Sequence, residues 1–170
     1  MKEQKKYELT DEYIEHWSGK KLYRIKALIT FGAVIAGQLG GYVEAERNLD
    51  QSGNAWVSGN AWVSGNALVY DDARVYGNAR VCDDAWVSGN ALVYDDARVS
   101  GNAWVSGNAL VCGNAVVRSC AVISERKMIF WATNVGSENG TLTVFNGKDE
   151  LLVTRGCFLM VITFSINQKN

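Results

Sequence analysis

Apolar residues fall on a six-residue grid through the middle of the chain. Alanine recurs at 55, 61, 67 and every sixth position to 121, and an aliphatic residue follows two places later each time, from Val57 to Val117 and then Ile123. Twelve copies run without insertion. In Ala-x-Val the first and third residues point to one side of a short strand and x points to the other. The three residues between successive units, such as Ser58-Gly59-Asn60, are corner residues, because Gly, Asn and Asp tolerate left-handed backbone angles. The pattern therefore predicts two-residue strands joined by tight corners and stacked as a parallel β-solenoid. Each unit buries only one valine and one alanine, so the interior is thin and backbone ladders carry much of the stability.

The unit "V-x-G-N-A-x" resembles the hexapeptide-repeat, left-handed parallel β-helix family, whose triangular coils use three hexapeptides each. The resemblance implies left-handed winding, against the right-handed rule for parallel crossovers. It also implies that residues eighteen apart stack, giving about four regular coils roughly 19 Å tall. The outward positions then sort into three rows: Trp56, Arg74, Leu92, Leu110; Trp62, Arg80, Arg98, Val116; and Leu68, Trp86, Trp104, Val122. Trp86 should land on Trp104, Tyr76 on Tyr94, and Trp62 beside Arg80 in cation–π range. Asp71-Asp72, Asp83-Asp84 and Asp95-Asp96 should occupy three different edges, each with Gly-Asn above and below. They read as corner residues rather than a calcium site.

Three segments follow from this: an N-terminal cap with an irregular first coil over 1–52, the repeats over 53–123, and a small antiparallel β module over 124–170. Thr10-Asp11-Glu12 looks like the start of a short helix, with acidic residues at its positive end. "LYRIKALI" alternates as a strand, and Gly32, Gly37, Gly40 and Gly41 read as turns of the irregular coil; no Lys-Ser/Thr follows the Gly-Gly pair as a phosphate loop requires. After Ile123, "KMIFWATN", "TLTVF" and "ELLVT" read as three strands, with a hairpin turn at "NGKD".

"LYRIKAL", "AGQLGGYVEAERNL", "GNAWV" and "VGSENGTLTVF…KDELLVTRGCF" further resemble hexapeptide-repeat proteins carried by bacteriophages and prophages, labelled acyltransferase or polymer-forming protein. Those relatives continue past "GCF" into a polar amphipathic helix. This chain instead runs "LMVITFSINQKN".

Composition narrows the function. The formal net charge is −1, which gives no general pull toward nucleic acid or anionic membrane. No apolar run approaches the ~18 residues of a membrane span, and the polar start "MKEQKKYELTDEYIEHW" does not read as a secretory signal. Cys82, Cys112, Cys120 and Cys157 show no C-x-x-C spacing, so reduced thiols and a cytoplasmic location are expected, with no metal and no cofactor. Family acyltransferases need a histidine near the coils as general base, whereas the sole histidine, His16, falls in the expected N-terminal helix. The leading expectation is a non-catalytic binding or scaffold protein. It would self-associate as a dimer or trimer and dock a host protein, the phage resemblance suggesting inhibition of a host defence complex. Its candidate interface is Trp62, Arg80, Arg98, Trp86, Trp104, Tyr76 and Tyr94. Alternatives are a trimeric acyltransferase, a nucleic-acid binder or mimic (disfavoured by charge), and a filament or virion component.

Overall fold

The computed structural model describes residues 4–156 and 158–163. Three longer strands open the chain: β1 (Tyr7–Glu15), β2 (Lys21–Ala27) and β3 (Leu39–Val43). Twelve two-residue strands, β4 to β15, follow at six-residue intervals from Trp56–Val57 to Val122–Ile123. They are succeeded by β16 (Ile129–Val135), β17 (Gly140–Asn146), β18 (Leu151–Arg155) and β19 (Phe158–Ile162). The molecule is an all-β solenoid of about five turns, begun by an antiparallel sheet and ended by another of four strands.

The eighteen-residue period is realised throughout the repeats. Strands three apart pair in parallel, Trp56 with Arg74, Trp62 with Arg80 and Leu68 with Trp86, so β4–β15 form three faces of four rungs. A fifth turn comes from the irregular coil: β3 pairs in parallel with β5, and Leu49 bridges Val69. Every repeat alanine and its partner valine or isoleucine is buried, and together they form the greater part of a core that continues into both caps through residues such as Ile25 and Phe145.

The corners explain the acidic pairs. Asp71, Asp83 and Asp95 take the glycine's place in the left-handed region, at φ of 59°, 62° and 58°. Each carboxylate accepts the N–H of the glycine one coil on, Gly89, Gly101 and Gly113, at 3.0–3.1 Å. The second aspartates, Asp72, Asp84 and Asp96, accept from the amides of Asn54, Asn66 and Asn78 one coil back. An Asp-Asp corner is thus a clamp between coils, and it works only with Gly-Asn on both sides.

Three expectations at the N-terminus are corrected. The segment containing Thr10-Asp11-Glu12 is strand β1, paired antiparallel with β2, and no helix forms there. Its tyrosines, threonine and isoleucine suit a strand, and pairing to β2, whose Leu22, Ile25 and Ala27 are buried, outweighs the local capping signal. His16 therefore sits in the tight turn after β1, where Gly19 N–H donates to its carbonyl. Gly40 and Gly41 are not a turn but the middle of β3. A Cβ on Gly40 would lie 2.5 Å from Ile25 Cγ1 and 2.6 Å from the Val57 carbonyl, so glycine lets the cap strand press onto the first coil.

At the other end the three expected strands appear as β16–β18, and Gly147 N–H donates to the Glu150 carbonyl in the turn between β17 and β18. A fourth strand, β19, goes beyond those three; it adds antiparallel to β18 as the sheet edge. Apolar "FLMVI" reads equally well as a tail, and only its register against Leu151–Arg155 makes it a strand. The sheet closes the solenoid through Thr143 and Thr154: Thr143 Oγ1 accepts the Val116 N–H, and Thr154 Oγ1 donates to the Val116 carbonyl. The end of the apolar tail, 164–170, and Cys157 lie outside the described residues.

Candidate functional site

The seven candidate residues divide among three places. Trp62, Arg80 and Arg98 form one column on the face built from β3, β5, β8, β11 and β14, with Arg80 in register with both neighbours. Trp86 and Trp104 stack in register on a second face. Tyr76 and Tyr94 lie at the edge of the third, their rings parallel at 4.9 Å and 2°. The period-eighteen columns are as expected; a single interface containing all seven is not what they make.

The tryptophan face is half open. Trp86 and Trp104 are each 47% exposed and meet edge to face at 6.2 Å. With Asn66, Asp84 and Asn102 they line a shallow concavity of about 500 Å³. The tyrosine pair is braced from below, where Tyr94 hydrogen-bonds Cys112; that bond and burial push the Tyr94 phenol up to about 12.

The arginine column has the more pointed chemistry. Arg80 lies over the Trp62 ring at 5.7 Å. Arg80 and Arg98 are direct ladder neighbours, and among the described residues neither makes an ion pair. Like charges placed opposite one another on adjacent strands cost stability, typically ~0.2–1 kcal/mol. The acidic corner beside them forms no ion pair with either arginine among the described residues: Asp83 accepts the Gly101 N–H and Asp84 the Asn66 amide. Both arginines border a concavity of about 450 Å³, whose lining includes Trp17, Trp62, Cys82 and Arg118 but, among the described residues, no acidic residue.

Several residues at this site lie off the repeat's outward x position. Arg118 stands one column over, in the series 82, 100, 118, where the same eighteen-residue arithmetic would have found it. Trp17 and His16 arrive on the β1–β2 turn, and nothing in the local sequence announces that placement. Trp17 is 90% exposed at the rim. The His16 ring packs edge-on against Trp62 at 5.0 Å, and its Nδ1 is 2.7 Å from Ser18 Oγ. Its Nε2 is closed off from solvent without a hydrogen-bond partner among the described residues. The expectation of an isolated helical histidine is corrected accordingly: it buttresses the tryptophan of the site.

Cys82, at the floor, is pushed up to about 12, chiefly by burial and then by Asp83, so it remains a thiol at neutral pH. Among the described residues no group of three or more His, Cys, Asp or Glu could hold a metal ion, and no helix is long and apolar enough to cross a membrane.

Residues 73–89, 85–101 and 91–107 match the YdcK beta solenoid repeat family, three overlapping segments within the regular coils. This part of the chain is similar to that repeat. No curated protein matches the chain.

Proposed function

We propose that the protein is a non-catalytic binding module whose ligand-bearing surface is the Trp62–Arg80–Arg98 face, and that the ligand is anionic. One observation carries the reading: two arginines in register on adjacent rungs, without a carboxylate partner and bordering a concavity with no acidic residue in its lining, in both cases among the described residues. A fold that tolerates that repulsion gains where a bound anion relieves it, because arginine pairs bidentately with carboxylate and phosphate. The solenoid supplies rigidity, so the array is preorganised and little entropy is lost on binding. Acyl transfer fits less well, since His16 Nε2 faces protein rather than solvent and Cys82 is held as a thiol. We further propose left-handed coils, on the strength of the hexapeptide phrase, and docking of a second copy or a host protein through the exposed tryptophan face.

The test uses immobilised heparin as a generic polyanion. A protein of net charge −1 has no bulk reason to be retained. Retention at low salt that is lost in Arg80→Gln/Arg98→Gln, yet kept in Arg74→Gln on another face, is the expected result. Equal retention of the two variants, or none by the parent protein, would overturn the reading.

A further inference from the structure

We infer that the concavity beside Arg80 and Arg98 is a site for a nucleoside phosphate, with the base on tryptophan and the phosphates on arginine; the inference rests on the anionic-ligand reading above. Two kinds of group converge there, and a simple polyanion site needs only one. Arg80, Arg98 and Arg118 come from three successive coils, so their charge is spread over two ladder spacings of about 4.8 Å each. That span suits a chain of phosphates rather than a single carboxylate. At the end of the column nearest β3 stand Trp62 and, from the β1–β2 turn, Trp17.

The two tryptophans differ in a way that matters. Trp62 is half-buried, pinned by the edge of the His16 ring and covered on one side by Arg80. Trp17 is 90% exposed, an unusual position for the largest apolar side chain, and its ring lies 5.1 Å from the His16 ring. A planar base stacked on Trp17 would cover indole surface that the fold leaves in water, and base–aromatic stacking is favourable for every base. A concavity of about 450 Å³ is within the range of small-molecule sites and too small for a folded partner. Neutral groups complete the lining: the Ser100 hydroxyl can donate to a phosphate oxygen, the Cys82 thiol is held by Asp83, and Val116 is apolar. Among the described residues no carboxylate lines the concavity, and Asp83, behind Cys82, is outweighed by three arginines in the lining.

The experiment is titration of the full chain with ATP, read by tryptophan fluorescence and by calorimetry. Adenosine, inorganic triphosphate, a short oligoadenylate and a glutamate-rich peptide serve as comparison probes. Saturable ATP binding with tryptophan quenching is expected, weakened at least tenfold in Arg98→Gln and in Trp17→Ala, and unchanged in Trp86→Ser on another face. Both site variants alter exposed residues, so loss of fold is not a competing explanation, and a thermal melt of each verifies it. Oligoadenylate binding more tightly than ATP would transfer the assignment to a single strand and overturn the free-nucleotide claim. So would inorganic triphosphate binding as tightly as ATP, since the base would then contribute nothing. Peptide binding that depends on Arg98, with no ATP binding, overturns this inference while leaving the anionic-ligand reading intact; failure of every anionic probe sinks both.

Discussion

Lys6 is the residue whose position is hardest to anticipate. It is almost fully buried, and its ammonium donates to the carbonyls of Ser52 and Ala55 at 3.0 Å and lies 5.0 Å from the centre of the Phe31 ring. The lysine stoppers the open end of the first coil with a charge. Burial pulls its pKa down to about 8 from an ordinary 10.5, against the opposing pull of Asp50 and Asp72. Between those two values the unfolded chain holds the proton more tightly than the folded one, so stability rises with pH across that window, by about 3 kcal/mol in all. The neighbouring Tyr7 works the other way. Its hydroxyl donates to the carbonyls of Glu46 and Leu49, burial drives its pKa upward, and stability is lost as pH climbs past about 10. The two effects separate in a difference measurement. The unfolding free energy of the parent minus that of Lys6→Met should move in the parent's favour between pH 7.5 and 10.5, as followed by urea denaturation. A flat difference would mean that Lys6 titrates normally.

Among the elements, β3 decides how the two parts of the molecule join. Its Gly40-Gly41 lies where the cap strand touches the first coil, and a Cβ on Gly41 would run into the Ala61 carbonyl and lie 2.8 Å from Val57 Cγ1. Gly37 poses a different problem: nothing is within 4 Å of its would-be Cβ, but its φ is +88°. Gly41→Ala should therefore cost about 3 kcal/mol through overpacking, and Gly37→Ala about 1 kcal/mol through backbone strain alone. Hydrogen exchange distinguishes them. In Gly41→Ala the amides of β1–β3 should open well before those of the coils, whereas Gly37→Ala should leave that order unchanged. This junction also marks how far the sequence alone could be read. The coils were legible because one arithmetic, eighteen residues per turn, places every Ala, Val, Trp86–Trp104 and Tyr76–Tyr94 neighbour. Outside the repeat that arithmetic stops. The capping signal at Thr10-Asp11-Glu12 is local, whereas β1 is set by its partner β2, and so the turn bringing His16 and Trp17 to Trp62 could not be foreseen. Half of the candidate site, the column Trp62–Arg80–Arg98, belongs to the periodic part; the other half is tertiary.

At the scale of the whole molecule, the solenoid is a stack in which each coil touches only its neighbours, so its stability is a sum of coil and interface contributions. The acidic corners make that sum depend on register. Removing residues 82–99 deletes one complete turn and brings Asp71 against Gly107, whose N–H can take over from that of Gly89, and Asn66 against Asn102. Removing only 82–87 keeps the hexapeptide phrase intact but turns all later strands by one face. Asp71-Asp72 would then stack directly on Asp95-Asp96. Like charges a single ladder spacing apart repel, and the repulsion between exposed groups is screened by salt. The longer deletion should unfold cooperatively, with a smaller denaturant slope matching one coil of lost surface, and its stability should be indifferent to 1 M NaCl. The shorter deletion should gain about 1 kcal/mol or more in the same salt. It should gain again as pH falls through the carboxylate range, because crowding raises the folded-state pKa of the stacked aspartates and protonation then favours the fold. Urea melts of both deletions with and without salt decide the matter: equal salt responses would mean that the Asp-Asp corners are interchangeable with Gly-Asn, and that the spacing of the three acidic pairs over three separate edges has no bearing on how the coils stack.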